Sequence, residues 1–583
     1  MDTELVDACI VPGAGVLAEA HGLGIYRRGT VIAVAADEIL VAFEGQGEEQ
    51  CDRSMVWPAN EAGLYLEDVM SLHHLSEAAI VENMRIGLEY ADAIYQWVGP
   101  ILVALNPMRP LPDLYSNDYM QSCRDAASSS GLVMPAHPFS QAELAIQDIL
   151  RHQRSAAFVV SGESGAGKTE TSRHLLAYCL WRCDRHGNLP RVLTHLGPVV
   201  ELFGSAGTIH NANSSRVGRF LQLYLTAGTD GSAVICHANL QTFLLERSRV
   251  VAVGPGERGF HIFYALLASS YTEELGLSEH GRDGSAFGYL RSGLLQLEAR
   301  DDAADMAIFV KAFEELGVDA THTRAVLQIL ASVLVLGNVT FQAEEGHEDA
   351  SRACPVPGAE RALSQLSSWL GVDLRNAMLE RQLRSGGFGV APVVVALDVS
   401  AAALARDAIA RAIYVRLVAH VVELVNNALT PEGRTDGHAD KACGTFGLLD
   451  VFGFERFNSN SLEQLLINFC NERLHQHFLQ RVFAAEVDLY AAEGVQWPDI
   501  AVPDNSELIA LCEASPLGLF SLLDDLCSLP TPSDEAFCTV ATQTHMRSRV
   551  FSRPKHHRRR KGKGSDDARG DEFVLHQDRK SVV

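Results

Sequence analysis

Apolar residues along the chain fall into two patterns: short unbroken runs bounded by glycine, proline and polar clusters, and longer stretches in which they recur every three or four positions. Strands are read at residues 101–105, 156–160, 221–225, 233–236, 243–245 and 446–449, with those at 156–160 and 446–449 read as buried. The polar tetrapeptide 228–231 supplies a turn between two of them. The helical period shows at Ile80, Met84 and Leu88, at Leu175, Leu176 and Cys179, and through a mainly helical stretch from residue 260 to about 425. Before residue 61, the β-like runs 29–34 and 39–43, separated by Ala35-Ala36-Asp37-Glu38, predict a small antiparallel barrel. A polar connection is expected at 183–191 and a charged linker at 430–443. The sum is an α/β chain, with a barrel-like segment at 1–60 and a main body at 61–583.

Composition narrows the classes. With 583 residues, 47% hydrophobic and 21% charged, the chain is globular and long enough for several packed subdomains. Its 48 basic against 73 acidic residues, a formal charge of -25, argue against a general nucleic-acid or acidic-membrane binder. Twelve cysteines without a CxxC pair read as reduced core thiols, and the spacing of Cys179 and Cys183 is that of a shared helix. No metal site follows from cysteine. The start lacks the basic and apolar regions of a signal peptide, and the longest apolar run, 325–339, is interrupted by Gln328 and Ser332 and too short to span a bilayer. The expectation is a soluble, cytoplasmic protein with no transmembrane segment.

The candidate chemistry lies at the ends of the strands. Between the strand at 156–160 and the helix that follows stands Gly162-Glu163-Ser164-Gly165-Ala166-Gly167-Lys168-Thr169. Strand, glycine loop and helix form the context a phosphate-binding loop requires. The glycines let backbone N–H groups point inward at a polyphosphate, Lys168 adds a cation at the β- and γ-phosphates, and Thr169 offers a hydroxyl to magnesium. This predicts a nucleoside triphosphate site with Mg2+. Asn106-Pro107 leads into a proline-stiffened loop ending at Tyr115, which is either a plain connection or a flat face for a base. Within residues 211–220, the six at 211–216 pack two amides, two hydroxyls and a guanidinium between apolar segments, a solvated turn or a second polar wall of the site. Asp450, Gly453 and Glu455 follow the strand at 446–449, as a turn or as groups reaching magnesium and the γ-phosphate.

Taken together, GESGAGKTE at 162–170, NANSSR at 211–216, LLERSRVV at 244–251, GFHIFYALL at 259–267 and DVFGFE at 450–455 resemble the motor domain of a myosin, in the family's order. A kinesin shares the loop, the Ser-Ser-Arg and an Asp-x-x-Gly-x-Glu, but lacks the surrounding segments. The resemblance implies a P-loop NTPase motor fold, with a mixed, mostly parallel central sheet flanked by helices, acting on ATP and Mg2+. Lys168 and Ser164 would contact the terminal phosphates, and Thr169 and Ser215 would ligate magnesium. Asp450 would hold the magnesium water shell, Asn211 would touch the phosphates, and Ser214 would position the attacking water. Gly453 would donate its N–H to the γ-phosphate, and Arg216 and Glu455 would pair as a latch. Asn106, Pro107 and Tyr115 resemble the loop that flanks adenine, with Tyr115 one residue later than usual. A long relay helix is implied at 457–490.

Val217 and Arg219 stand where many relatives have Phe and Lys, and 387–397 holds no acidic or hydroxyl residue where the family tunes actin contact. The basic run 553–564 is a flexible loop, a filament contact or a nuclear signal. The resemblance implies a cytoskeleton-associated ATPase acting on actin filaments in its complete form. It also implies that the rest of the actin-binding part, the converter and the lever lie outside this sequence, so light chains are not expected. A central-sheet strand, between the one before Asn106 and the one before Gly162, would be missing with them. A nucleotide-binding or interaction remnant without motor activity is the alternative.

Overall fold

The computed structural model describes residues 9–582 except 20–24, 44, 46, 130–132, 184–187, 210, 229–231, 282, 299, 345–351, 384–392, 431–441, 456–459, 496–503, 530–532, 553–573 and 578–579. The basic run 553–564 therefore lies outside the described residues, as do most of the linker at 430–443 and most of the turn at 228–231.

Strands β1 (Gly15–Glu19), β2 (Tyr26–Val34), β3 (Glu38–Phe43), β4 (Gly47–Asp52) and β5 (Val56–Pro58) form one antiparallel sheet in the order β4-β3-β2-β1-β5. Alternation sets its inner face: in β3, Ile39, Val41 and Phe43 are buried while Glu38 is exposed. The expected small barrel is thus a five-stranded sheet with edges at β4 and β5. Helix α1 (Glu77–Ala91), capped by Ser76, is tied to the sheet by the Arg28–Glu82 ion pair at 2.7 Å.

The chain then forms the hairpin β6 (Tyr95–Val98) and β7 (Ile101–Ala104), followed by α2 (Pro138–His152), β8 (Ala156–Val160), α3 (Lys168–Arg182) and α4 (Leu196–Gly204). Next come β9 (Gly218–Ala227), β10 (Ala233–Phe243), α5 (Ala320–Leu336), α6 (Val399–Leu429), β11 (Gly444–Asp450), α7 (Leu462–Leu479) and α8 (Ala485–Ala492). The central sheet has the order β10-β9-β11-β8. It is mixed: β8 and β11 pair in parallel, whereas β9 is antiparallel to both β10 and β11. β8, β10 and β11 therefore run the same way, although only one adjacent pair is parallel. Helices pack over it around a core that includes Phe139, Tyr178, Phe203, Leu330, Tyr414 and Phe446. The buried Tyr414 hydroxyl of α6 donates to the Phe203 carbonyl of α4 at 2.7 Å, so this polar tip is satisfied.

Two expectations need correction. Residues 188–191 are not a connection but the start of a helix, Asn188–Thr194. Pro190 fits there because the first turn's N–H groups have no intrahelical partner. The helix expected at 457–490 is interrupted: α7 ends at Leu479, a π turn spans Gln480–Ala484, and α8 resumes at Ala485. A wider turn of this kind locally breaks the 3.6-residue register, which the apolar pattern did not show.

β8 is an edge strand, with Val159 47% exposed. A cleft of about 480 Å³ lies between it and β7, lined by Ile101, Val103, Phe158, Val160 and Phe478 among others.

Candidate nucleotide site

The loop after β8 is shaped by its glycines. Gly162, Gly165 and Gly167 have φ of 152°, 83° and 95°, conformations that side chains resist. Gly167 is the N-cap of α3 and supplies no side-chain cap, so the first N–H groups of this 15-residue helix lack that partner and its positive end faces the loop. Lys168 Nζ donates to the carbonyls of Gly162 and Glu163 at 3.0 and 2.7 Å. Burial lowers its pKa, against the opposing pull of Asp450 and Glu455. Asn106 Nδ2 donates to the Gly165 carbonyl at 2.8 Å, which brings the Asn106-Pro107 loop onto the glycine loop.

Two further walls converge here. Ser214 Oγ is 3.5 Å from Ser164 Oγ and accepts from Arg216 at 2.8 Å. Gly453 approaches so closely that a Cβ would lie 2.1 Å from the Gly162 carbonyl oxygen and 2.7 Å from Lys168 Nζ. Only glycine fits. Thr169 Oγ1 donates to Asp450 Oδ2 at 3.1 Å, placing a hydroxyl and a carboxylate side by side at the start of α3. Ser215 Oγ donates to the Val217 carbonyl at 2.9 Å, and Asn211 closes its own loop by accepting from the Asn213 N–H at 3.0 Å. Neither makes a hydrogen bond to the glycine loop among the described residues.

Arg216 and Glu455, 239 positions apart, form a buried ion pair, with one Nη1–Oε2 distance of 3.2 Å. Arg216 also meets Glu246 at 3.3 Å, Glu246 meets Arg249 at 2.7 Å, and Arg249 meets Glu257 at 2.9 Å. Burial opposes ionisation of Arg216, but Glu246 and Glu455 outweigh it and raise its pKa. Burial likewise opposes the Glu246 charge, and Arg216 and Arg249 outweigh it, lowering its pKa. Asn468 of α7 grips Glu455 by its backbone, accepting from its N–H at 2.9 Å and donating to its carbonyl at 2.8 Å. Asn471 donates to the Phe452 carbonyl at 3.1 Å. Helix α7 is thus fastened to both sides of Gly453.

The ring of Tyr115 stacks flat on His174 of α3, centroids 3.6 Å apart and planes 2° from parallel, and its hydroxyl is 2.9 Å from that of Tyr95. One face of the ring expected to flank a base is therefore covered. Burial, then Arg173, lowers the His174 pKa to about 4, which keeps the stacked imidazole neutral at pH 7. Sequence reasoning assigned no role to Glu246, Arg249, Asn468 or His174. Glu246 and Arg249 stand in a motif that was visible, LLERSRVV, but a motif does not say which carboxylate turns inward.

The donor set suits magnesium better than a transition metal. Hydroxyls and one carboxylate meet beside a glycine-lined loop, and no cluster of three His, Cys, Asp or Glu able to hold a metal occurs among the described residues.

Comparison with known proteins identifies the family. The family model for the myosin head (motor domain) matches residues 66–566. Myosin-8 of Arabidopsis thaliana is 33% identical over 543 residues, covering 90% of this chain and 34% of the relative. Myosin-1 of the same plant is 32% identical over 531 residues, covering 90% and 43%. Myosin heavy chain 95F of Drosophila melanogaster is 34% identical over 502 residues, covering 81% and 39%. The chain thus spans about a third to two fifths of the lengths of these relatives. A family match across residues 66–566, with relatives a third identical over most of the chain, makes the chain a member of the myosin motor-domain family.

Proposed function

We propose that the chain binds magnesium-ATP and hydrolyses it as a myosin-type motor ATPase, coupled in the complete protein to actin filaments in the cytoplasm. The observation that carries this reading is the convergence of the glycine loop, Ser214 and Gly453 on one space, closed behind by the Arg216–Glu455 pair.

Phosphoryl transfer to water requires alignment and charge neutralisation, not a covalent nucleophile. Lys168 and the N–H groups at the start of α3 bind the terminal phosphates, and the Lys168 ammonium leaves its loop carbonyls to do so. The Gly453 N–H meets the γ-phosphate, Asn211 touches the phosphates from its own loop, and Ser214 orients the attacking water. Magnesium, when bound, neutralises phosphate charge; Thr169 and Ser215 would hold it, with Asp450 on its water shell. Asn106, Pro107 and Tyr115 border the base. When phosphate leaves, Gly453 loses its partner and the 450–455 loop is released. Asn468 and Asn471 carry that displacement into α7, whose π turn provides a place to bend.

The division into 1–60 and 61–583 belongs to the same reading. So does a further strand, supplied from outside the described residues, that fills the cleft between β7 and β8 and pairs with the open β8 edge.

A single-turnover assay on the 583-residue chain tests the proposal. Slow, magnesium-dependent cleavage of ATP supports it. Absence of any nucleotide binding with the chain folded would sink it in favour of an interaction remnant.

A further inference from the structure

Arg219 is the second residue after Val217 in the polar wall, and nothing in the reaction above uses it. Register places it: Arg219 of β9 sits directly opposite Asp450 of β11. Its Nη2 donates to Asp450 Oδ2 at 2.7 Å, the same oxygen that accepts from Thr169 at 3.1 Å. No other hydrogen bond reaches this carboxylate among the described residues, so Oδ2 is held by two donors and Oδ1 is left for another partner. The guanidinium is itself braced, with Nη1 3.9 Å from Glu201, which pairs with Arg173 of α3. Its side chain is 13% exposed.

We propose that Arg219 is a positioning residue for magnesium: by pinning Oδ2 it turns Oδ1 of Asp450 toward the metal's water shell. The inference rests on the nucleotide reading of the site. Partners of this kind commonly change metal affinity by about 10- to 100-fold when removed. A pure charge effect has the opposite sign, since deleting a cation beside the site favours a second cation. Lysine at this position keeps the charge but not the planar fork, so it rescues only in part.

The test is equilibrium binding of a fluorescent ATP analogue to the full chain, titrated with free Mg2+ and repeated in EDTA. Arg219→Ala is expected to need about tenfold more Mg2+ for half-maximal binding, with affinity in EDTA unchanged and Arg219→Lys in between. An unchanged or lower Mg2+ requirement overturns the proposal. Should Arg219→Ala melt at the assay temperature, Arg219→Gln and Arg219→Lys carry the same comparison, and a requirement equal to that of the unaltered chain in both overturns it. Failure of the unaltered chain to bind nucleotide in Mg2+ overturns instead the reading on which this one rests.

Discussion

Arg216 has two acidic partners, and they differ in how they are attached. Glu246 is bound to it twice, through the side chain at 3.3 Å and through its N–H to the Arg216 carbonyl at 3.0 Å, so the two travel together. Glu455 arrives on the loop that follows β11 and is the partner able to leave. Breaking one side of a buried pair costs about 3–5 kcal/mol, which, felt in the closed state, slows ATP cleavage by roughly 10²- to 5 × 10³-fold. Arg216→Glu and Glu455→Arg should each show that loss in rapid-quench assays. The double exchange should recover only part of it, because it sets a carboxylate beside Glu246. Adding Glu246→Gln should recover more; strictly additive losses would count against the contact. The glycine loop was legible in the sequence because its eight residues are contiguous and each carries a chemical reason. Glu246 and Arg219 were not, because their partners are set by strand register and burial, which no local pattern encodes.

At the scale of elements, the strands at 156–160 and 446–449 and the helix after the loop emerge where the apolar pattern places them, but β8, expected to be buried, is an edge strand with Ala157 and Val159 exposed, because its neighbours are set by sheet order and not by its own sequence. The break in the relay segment escaped notice because α7 and α8 are both helical on either side of it. The coupling of α7 to the site is equally invisible in sequence, resting on Asn468 and Asn471, polar residues on the helix face turned toward 452–455. Asn468→Ala leaves the N–H and carbonyl of Glu455 without these partners, at about 1–3 kcal/mol for each buried group left unpaired. The expected result is at least a tenfold slower cleavage step with magnesium-ATP affinity changed less than about threefold, read by rapid quench and equilibrium binding on one preparation. Equal losses in both would mean that Asn468 merely supports the fold.

For the molecule as a whole, two buried histidines, His137 and His261, and the half-buried His174 weaken the fold in acid. Burial, with His174 as the next cause, lowers the His137 pKa to about 3; burial, with Arg300 and Arg258, lowers that of His261 to about 2; His174 lies at about 4. Each native value is below the unfolded one, so the unfolded chain binds more protons between them, and stability, complete above about pH 6.5, falls as pH drops. At pH 5 His137 and His261 each remove about 2 kcal/mol. The thermal midpoint should therefore decline steadily from pH 7 to pH 5, and His261→Gln should flatten that slope; a midpoint independent of pH would contradict the burial. Architecture at this scale was only partly legible. The family resemblance supplied a mixed central sheet, whereas the open order of the N-terminal sheet and the covering of Tyr115 by His174 depend on long-range packing.

Calorimetric titration of the 583-residue chain and its Lys168→Ala variant with magnesium-ATP tests whether the loop 162–169 is a magnesium-ATP site. Lys168 is the cation of the loop, its ammonium resting on the Gly162 and Glu163 carbonyls, so saturable binding near one ATP per chain is expected, with its loss in the variant and both proteins melting alike without nucleotide. Equal affinity in the two would contradict it.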